Sequence, residues 1–345
     1  MGSEMCIRDR SKESFSPFPW QNTNWSKLAS QFNENRLSHA YLLTGTAGIG
    51  KFEFALKFAR YLICSSPGSN RACGACKHCH LSASLNHPDI QIVTPEDNDS
   101  VIKIDQVRNL ANFYSKTSHA GTLKIAIINH VHRLNPSAAN ALLKTLEEPA
   151  GSSILFLCTN LPGQLKSTIS SRCQKFPMGE ASRKQTLEWL EDNVSAPFDS
   201  ASLEGLPQTR PLYLKELVES GTLETQQEFI KGFLKLLNRE ASIQSVLSDA
   251  QTLGLSNSVS FLMNFFSKAI VAYMSNQTAN RNSIESIFIQ MLQESPIDRR
   301  ELAVRLINFY DEVAAAQKDL SGSNNLNAQL VVESLIWRGS MLNLR

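Results

Sequence analysis

Residues 41–52, Tyr41 to Phe52, read YLLTGTAGIGKF. An apolar run, a glycine-rich turn and a helix-forming stretch follow one another, which predicts strand, tight loop and helix. Gly45, Gly50 and Lys51 keep the spacing of a phosphate-binding loop: glycine, four residues, glycine, lysine. Backbone N–H groups of such a loop cradle phosphates at a helix N-terminus, and the lysine reaches the terminal ones. The next position calls for Ser or Thr, whose hydroxyl binds Mg²⁺. Phe52 stands there, and an aromatic ring cannot hold the metal.

Outward from the loop, apolar strand patterns recur at Asp89–Thr94, Lys124–Asn129, Ile154–Thr159 and Cys173–Phe176. Helical patterns separate them, including Phe18–Leu37, a stretch opening at Asp105, and one between Pro136 and Pro149. Pro136 falls where proline favours a helix start, and Pro149 ends the run. Strands alternating with helices predict an α/β fold with a parallel sheet and helices on both faces. Beyond Pro177 only helical periodicity continues. The expected division is an extension at 1–17, an α/β domain at 18–178, a small helical domain at 179–225 and a helical C-terminal domain at 226–345. The opening MGSEMCIRDR matches nothing that follows and resembles a cloning scar, so its Cys6 is set aside.

The end of the third strand should carry the Asp that holds Mg²⁺ and a carboxylate that positions water. The residues are Asn129 and His130. Asn129 is neutral, and His130 replaces a fixed carboxylate only with a matched pKa and geometry. Three altered positions, Phe52, Asn129 and His130, point to a loop that has lost hydrolysis and leave nucleotide binding open.

Of seven cysteines, four are spaced C-x8-C-x2-C-x2-C: Cys64, Cys73, Cys76 and Cys79. In a cytosolic chain, as this one is expected to be, such spacing points to metal rather than disulfides. Four thiolates suit closed, structural Zn²⁺, and His78 or His80 could stand in for one ligand. Cys158 and Cys173 sit in apolar runs as small core residues. A net charge of +2 excludes a global electrostatic attraction to nucleic acid, although Lys103, Arg108, Lys116 and Lys124 could form a local basic surface. No apolar run is long enough for a membrane span, and the cytoplasm is the expected location.

These motifs together resemble the AAA+ clamp-loader family of bacterial DNA polymerase III. They are PWQ at Pro19–Gln21, RLSHAYLLTGTAGIGK at Arg36–Lys51, the four cysteines, IDQVR at Ile104–Arg108, NALLKTLEEP at Asn140–Pro149 and SRC at Ser171–Cys173. The degraded loop is similar to the delta-prime type rather than to the related gamma/tau ATPase. The resemblance implies an AAA+ P-loop domain, a helical lid and a helical collar that joins a hetero-oligomeric ring. It implies a non-hydrolysing component of the polymerase holoenzyme, with gamma/tau and delta subunits, the sliding clamp and primed DNA as partners. Arg172 matches an arginine finger acting in trans on a neighbour's ATP. Thr159 and Arg210 match nucleotide-sensing positions, and the four cysteines match a zinc module. The alternatives are an active ATPase of the gamma/tau type, favoured by Gly45, Gly50 and Lys51, and a zinc-dependent nucleic-acid-binding module.

Overall fold

The computed structural model describes residues 15–68, 71–96, 101–118, 123–149, 151–196, 198, 203, 206–275, 284–321 and 327–342. The opening ten residues lie outside them. Contacts divide the chain into two compact units: Met1–Trp189 with Thr209–Tyr213, and Leu190–Gln208 with Leu214–Arg345.

The first unit is built on five parallel strands: β1 Ala40–Thr44, β2 Ile90–Val93, β3 Lys124–Ile128, β4 Ser153–Thr159 and β5 Gln174–Pro177. They lie in the order β2-β3-β4-β1-β5. Alternate residues of the central strands feed two separate cores, as the twofold period of a strand requires. Tyr41, Leu43, Ile125, Ile127, Phe156 and Cys158 enter one. Ala40, Leu42, Ala126, Ile128, Leu155 and Leu157 enter the other.

The first core is closed by α1 (Asn22–Asn33) through Trp25 and Leu28, and by α2 (Lys51–Ile63) through Phe54, Phe58 and Leu62. The ring of Trp25 meets Phe54 and Phe58 edge-on at 5.7 and 5.2 Å. A short α3 (Lys77–Ala83) follows the cysteine segment. The second core is closed by α4 (Ile104–Ser115), α5 (Pro136–Glu147) and α6 (Ser167–Ser170). Asn135 caps α5, its side-chain oxygen accepting from the Ala138 N–H at 2.7 Å, with Pro136 in the first turn. The α/β class and parallel sheet expected from the sequence are therefore present. Their cause is legible: strands buried on both faces are continuously apolar.

After α7 (Arg183–Asn193) the described elements are all helical: α8 (Pro211–Glu219), α9 (Thr222–Leu237), α10 (Ile243–Leu253), α11 (Leu255–Ser275), α12 (Ile284–Gln293), α13 (Arg299–Ser321) and α14 (Ala328–Ser340). In the second unit Phe229, Phe233, Phe266, Phe288 and Phe309 are buried in one core. No helix among the described residues is long and apolar enough to cross a membrane.

Candidate functional site

The glycine loop joins the carboxyl end of β1 to α2. In an open parallel sheet, ligand-binding groups gather at that edge. The loop's backbone is held by its carbonyls. Lys51 Nζ donates to Gly45 O at 2.8 Å and Thr46 O at 2.7 Å. Arg210 Nε donates to Ala47 O at 2.7 Å, and the Leu212 N–H to Gly48 O at 3.0 Å. Ile49 O accepts from Trp20 Nε1 and Gln21 Nε2, both at 2.9 Å. Gly50 O accepts from Gln21 Nε2 at 2.8 Å and from the Phe54 N–H at 2.9 Å. Every carbonyl from Gly45 to Gly50 thus has a protein donor, which pins the loop's shape while its N–H groups stay outside this network.

Gly48 and Gly50 both sit at φ +81°. A Cβ on Gly48 would lie 2.8 Å from Tyr213 Cβ, and one on Gly50 would lie 2.7 Å from the Phe18 ring. Phe18 stacks on Trp20 with centroids 4.9 Å apart, and Trp189 packs edge-on against both at 5.5 Å. An aromatic cluster therefore abuts the loop.

The Lys51 ammonium is nearly buried. Desolvation is the main reason that its pKa falls to about 8, with Arg210 adding to the fall and Cys158 and Glu53 opposing it. Burial drives the Cys158 thiol up to about 12, so it stays protonated. Phe52, in the first turn of α2, is half-buried and packs against the first core.

At the end of β3, the Asn129 side-chain oxygen accepts from the His130 N–H at 3.0 Å. His130 has a left-handed backbone, φ +54°. Burial pushes its pKa down, and Arg133 and Lys51 add to this. His132 Nδ1 lies 2.9 Å from Thr159 Oγ1, which also accepts from the Leu161 N–H at 3.0 Å. Burial, then His130, Arg133 and Lys51, lower the His132 pKa to about 4. Both imidazoles are held toward neutrality. The structure thus gathers Gly45, Gly50, Lys51 and Arg210 at the loop, and sets Thr159 against His132 on β4, the neighbour of β1.

Arg172 belongs to a different edge, between α6 and β5. Its Nη1 donates to Thr168 O at 2.9 Å, and its Nη2 pairs with Glu147 Oε1 at 2.8 Å.

The cysteines form a third site. Cys64 ends α2, Cys76 caps α3, and the sulfurs of all four lie within 4.8 Å of one another. The Sγ–Sγ separations are 4.0 Å for Cys64–Cys76, 3.9 Å for Cys73–Cys79 and 3.7 Å for Cys64–Cys79. Zn–S bonds of about 2.3 Å require tetrahedral edges of ~3.8 Å, so the donor set fits Zn²⁺. Backbone N–H groups of Cys73, Cys76 and Cys79 donate to the sulfurs of Cys64, Cys73 and Cys76 at 3.2, 3.3 and 3.4 Å, which supports the thiolate form.

Two expectations are corrected here. His78 and His80 are not stand-in ligands. His80 is exposed and outside the sulfur cluster, and His78 Nδ1 lies 2.9 Å from His87 Nε2. His87 Nδ1 accepts from the Asp89 N–H at 3.0 Å, so in the neutral ring its Nε2 carries the proton and donates to His78. Lys124 is not part of a basic surface. It is buried, 3.6 Å from the Asp89 carboxylate and 4.3 Å from the Phe113 ring centroid. Lys103 and Arg108 pair with Glu96 and Asp105.

PWQ, the loop and TLEEP contain Trp20, Gln21, Gly48 and Glu147, but nothing in those stretches marks the four as site residues. Their contacts are made across the fold, with residues distant in the chain, so local patterns carry no signal for them.

A family model described as DNA polymerase III, delta subunit, matches residues 20–182. The chain is 37% identical over 230 residues to the DNA polymerase III subunit delta-prime of Pseudomonas aeruginosa, covering 65% of this chain and 68% of that protein. The chain belongs to the DNA polymerase III delta-prime subunit family. It also shares 32% identity over 206 residues with subunit tau/gamma of Haemophilus influenzae, covering 59% of this chain and 30% of that protein. A DNA polymerase III gamma subunit-related structure from Thermotoga maritima superposes at TM-score 0.49 and 18% identity, covering 93% of this chain and 99% of that one. Family membership agrees with the resemblance carried by the sequence motifs.

Proposed function

We propose that this chain is a non-hydrolysing subunit of a clamp-loading assembly. It works beside gamma/tau and delta subunits in the cytoplasm to place the sliding clamp on primed DNA, and Arg172 acts in trans on the ATP of a neighbouring subunit. The α/β region at 18–178 would carry the chemistry, 179–225 would form a lid, and 226–345 would form the ring-joining collar.

The observation that carries the reading is at the end of β3. A hydrolytic site needs a carboxylate there for Mg²⁺ and another for water. Asn129 instead spends its side-chain oxygen on its own neighbour's N–H, and His130 is held toward neutrality by burial and two cations. Phe52 packs half-buried against the first core. Arg172, by contrast, is half-exposed at an edge. The four cysteines would hold one Zn²⁺, which supplies a fixed crosslink and no open coordination position.

The test is reconstitution with gamma and delta subunits, with ATP turnover measured in the presence of clamp and primed DNA. The isolated chain should release no phosphate. Arg172→Ala should lower turnover at the adjoining site by about 10³-fold. Unchanged turnover at saturating ATP would overturn the trans-acting role.

One observation favours a second reading, an active ATPase of the gamma/tau type: Gly45, Gly50 and Lys51 are intact and their loop is well formed. Phosphate release by the isolated chain, abolished by Lys51→Ala, would establish it.

A further inference from the structure

Arg172 is held by two anchors from different elements. The Thr168 carbonyl belongs to α6, and Glu147 is the last residue of α5, whose Leu142 and Leu146 share a core with Ile169 of α6. Guanidinium carries five N–H donors in a rigid fork. One on Nη1 goes to the carbonyl and one on Nη2 to the carboxylate. Among the described residues, three are left for another acceptor: Nε–H and one on each terminal nitrogen. The side chains of Arg172 and Glu147 are 38% and 49% exposed, so the carboxylate is largely screened and its electrostatic hold is weak. Its geometric effect is larger. A free arginine side chain samples many rotamers, and two anchors fix the directions of the remaining donors.

We propose that Glu147 is a positioning residue for Arg172. It holds the guanidinium so that the unused donors are preset for a phosphate of the adjoining subunit. This rests on the reading of Arg172 as a trans-acting finger. The carboxylate touches no reacting atom. It acts only through Arg172, with the Thr168 carbonyl as the second anchor.

The reconstituted assembly should be compared with wild-type chain, Glu147→Ala, Glu147→Gln, Arg172→Ala and the double variant Glu147→Ala/Arg172→Ala. Glu147→Ala should lower kcat for ATP by about three- to tenfold, with little change in KM, as loss of one anchor implies. Glu147→Gln should restore most of the rate, because the amide oxygen still accepts the N–H. In the Arg172→Ala background, Glu147→Ala should have no further effect. A second readout needs no partner. Phenylglyoxal modification of Arg172 in the isolated chain, followed by peptide mass mapping, should be several-fold faster in Glu147→Ala and near wild type in Glu147→Gln.

A rise in kcat with Glu147→Ala would make Glu147 a restraint and overturn the proposal. So would an equal fall in both backgrounds, or an unchanged modification rate. A neutral Arg172→Ala would instead overturn the finger reading and the catalytic part of Glu147 with it. The modification rates would still report whether the contact exists, so the two failures are distinguishable.

Discussion

Gln21, buried beneath the glycine loop, donates from one nitrogen to Gly50 O at 2.8 Å and to Ile49 O at 2.9 Å. Its side-chain oxygen accepts from the Phe18 N–H at 3.3 Å. One amide therefore ties the segment before α1 to the turn before α2. Gln21→Met keeps the volume and removes these bonds. Each carbonyl keeps its second donor, Trp20 Nε1 or the Phe54 N–H, so the loss is the net worth of the bonds removed, about 1–3 kcal/mol in all. Urea unfolding should show a loss in that range, while Gln21→Glu should do worse because a buried carboxylate cannot donate. A loss below a few tenths would mean that solvent replaces the bonds.

Gly48 makes a sharper case. At φ +81°, with Tyr213 Cβ 2.8 Å from where its own Cβ would lie, it is constrained both by backbone and by space. Gly48→Ala should cost about 1–3 kcal/mol from the left-handed conformation, with the clash added to it. Tyr213→Ala would not relieve it, since the contact is with Cβ itself. Thermal unfolding of the single and double variants separates the two contributions.

β1, β3, β4 and α2 were legible because their pattern is local: mostly apolar runs of five to seven residues, then Gly45, Gly50 and Lys51 at fixed spacing. The cysteine cluster was legible for the same reason. What the sequence hid is pairing over distance. Nothing near Lys124 marks it as the partner of Asp89, 35 positions away by residue number. Nothing near His78 says that His87 rather than a metal takes its nitrogen. Glu147 and Arg172 lie on separate elements brought together by the packing of α5 on α6.

Metal should be a structural requirement of the cysteine segment. The expectation is one Zn²⁺ per chain by atomic absorption, lost on Cys76→Ser. Because a metal that binds only the folded form adds its binding free energy to stability, chelation should open residues 64–83 to proteolysis. The parallel-sheet core should resist longer, since its two cores are built from other residues. An undiminished metal content in Cys76→Ser, or unchanged proteolysis after chelation, would contradict this. Co²⁺ substitution offers a check on the ligands, as four thiolates give an intense sulfur-to-metal charge-transfer band that His ligation weakens.

The Lys124–Asp89 pair is buried at the edge where β2 joins β3, with side-chain exposures of 6% and 0%. Removing Lys124 takes the cation away from a fully buried carboxylate, and breaking a buried ion pair in this way costs roughly 3–5 kcal/mol. Lys124→Met should therefore destabilise strongly in urea. Replacing both by apolar residues of similar volume should recover much of that loss. If the double replacement were as unstable as the single one, the pair's Coulomb attraction would not be the cause.

The pH dependence follows from His132. Its pKa falls from the ordinary 6.5 to about 4 in the fold, first through burial and then through His130, Arg133 and Lys51. The unfolded chain binds a proton near pH 6.5 that the folded chain refuses until about pH 4. Between those values the unfolded state holds more protons, so this group's contribution to stability is complete above pH 6.5 and declines as pH falls through the window. His132→Gln removes the titration and leaves a side chain able to bond Thr159 Oγ1. The difference in urea midpoint between wild type and His132→Gln should therefore be flat above pH 7, and should move in favour of the variant from pH 6.5 toward 4. The imidazole resonance of His132 should stay near its neutral position by NMR from pH 6.5 to about pH 5 and shift only as the pH approaches 4. An inflection near pH 6.5 would show that burial does not hold the ring neutral, and the bond to Thr159 would then have to be read with a charged imidazole as donor.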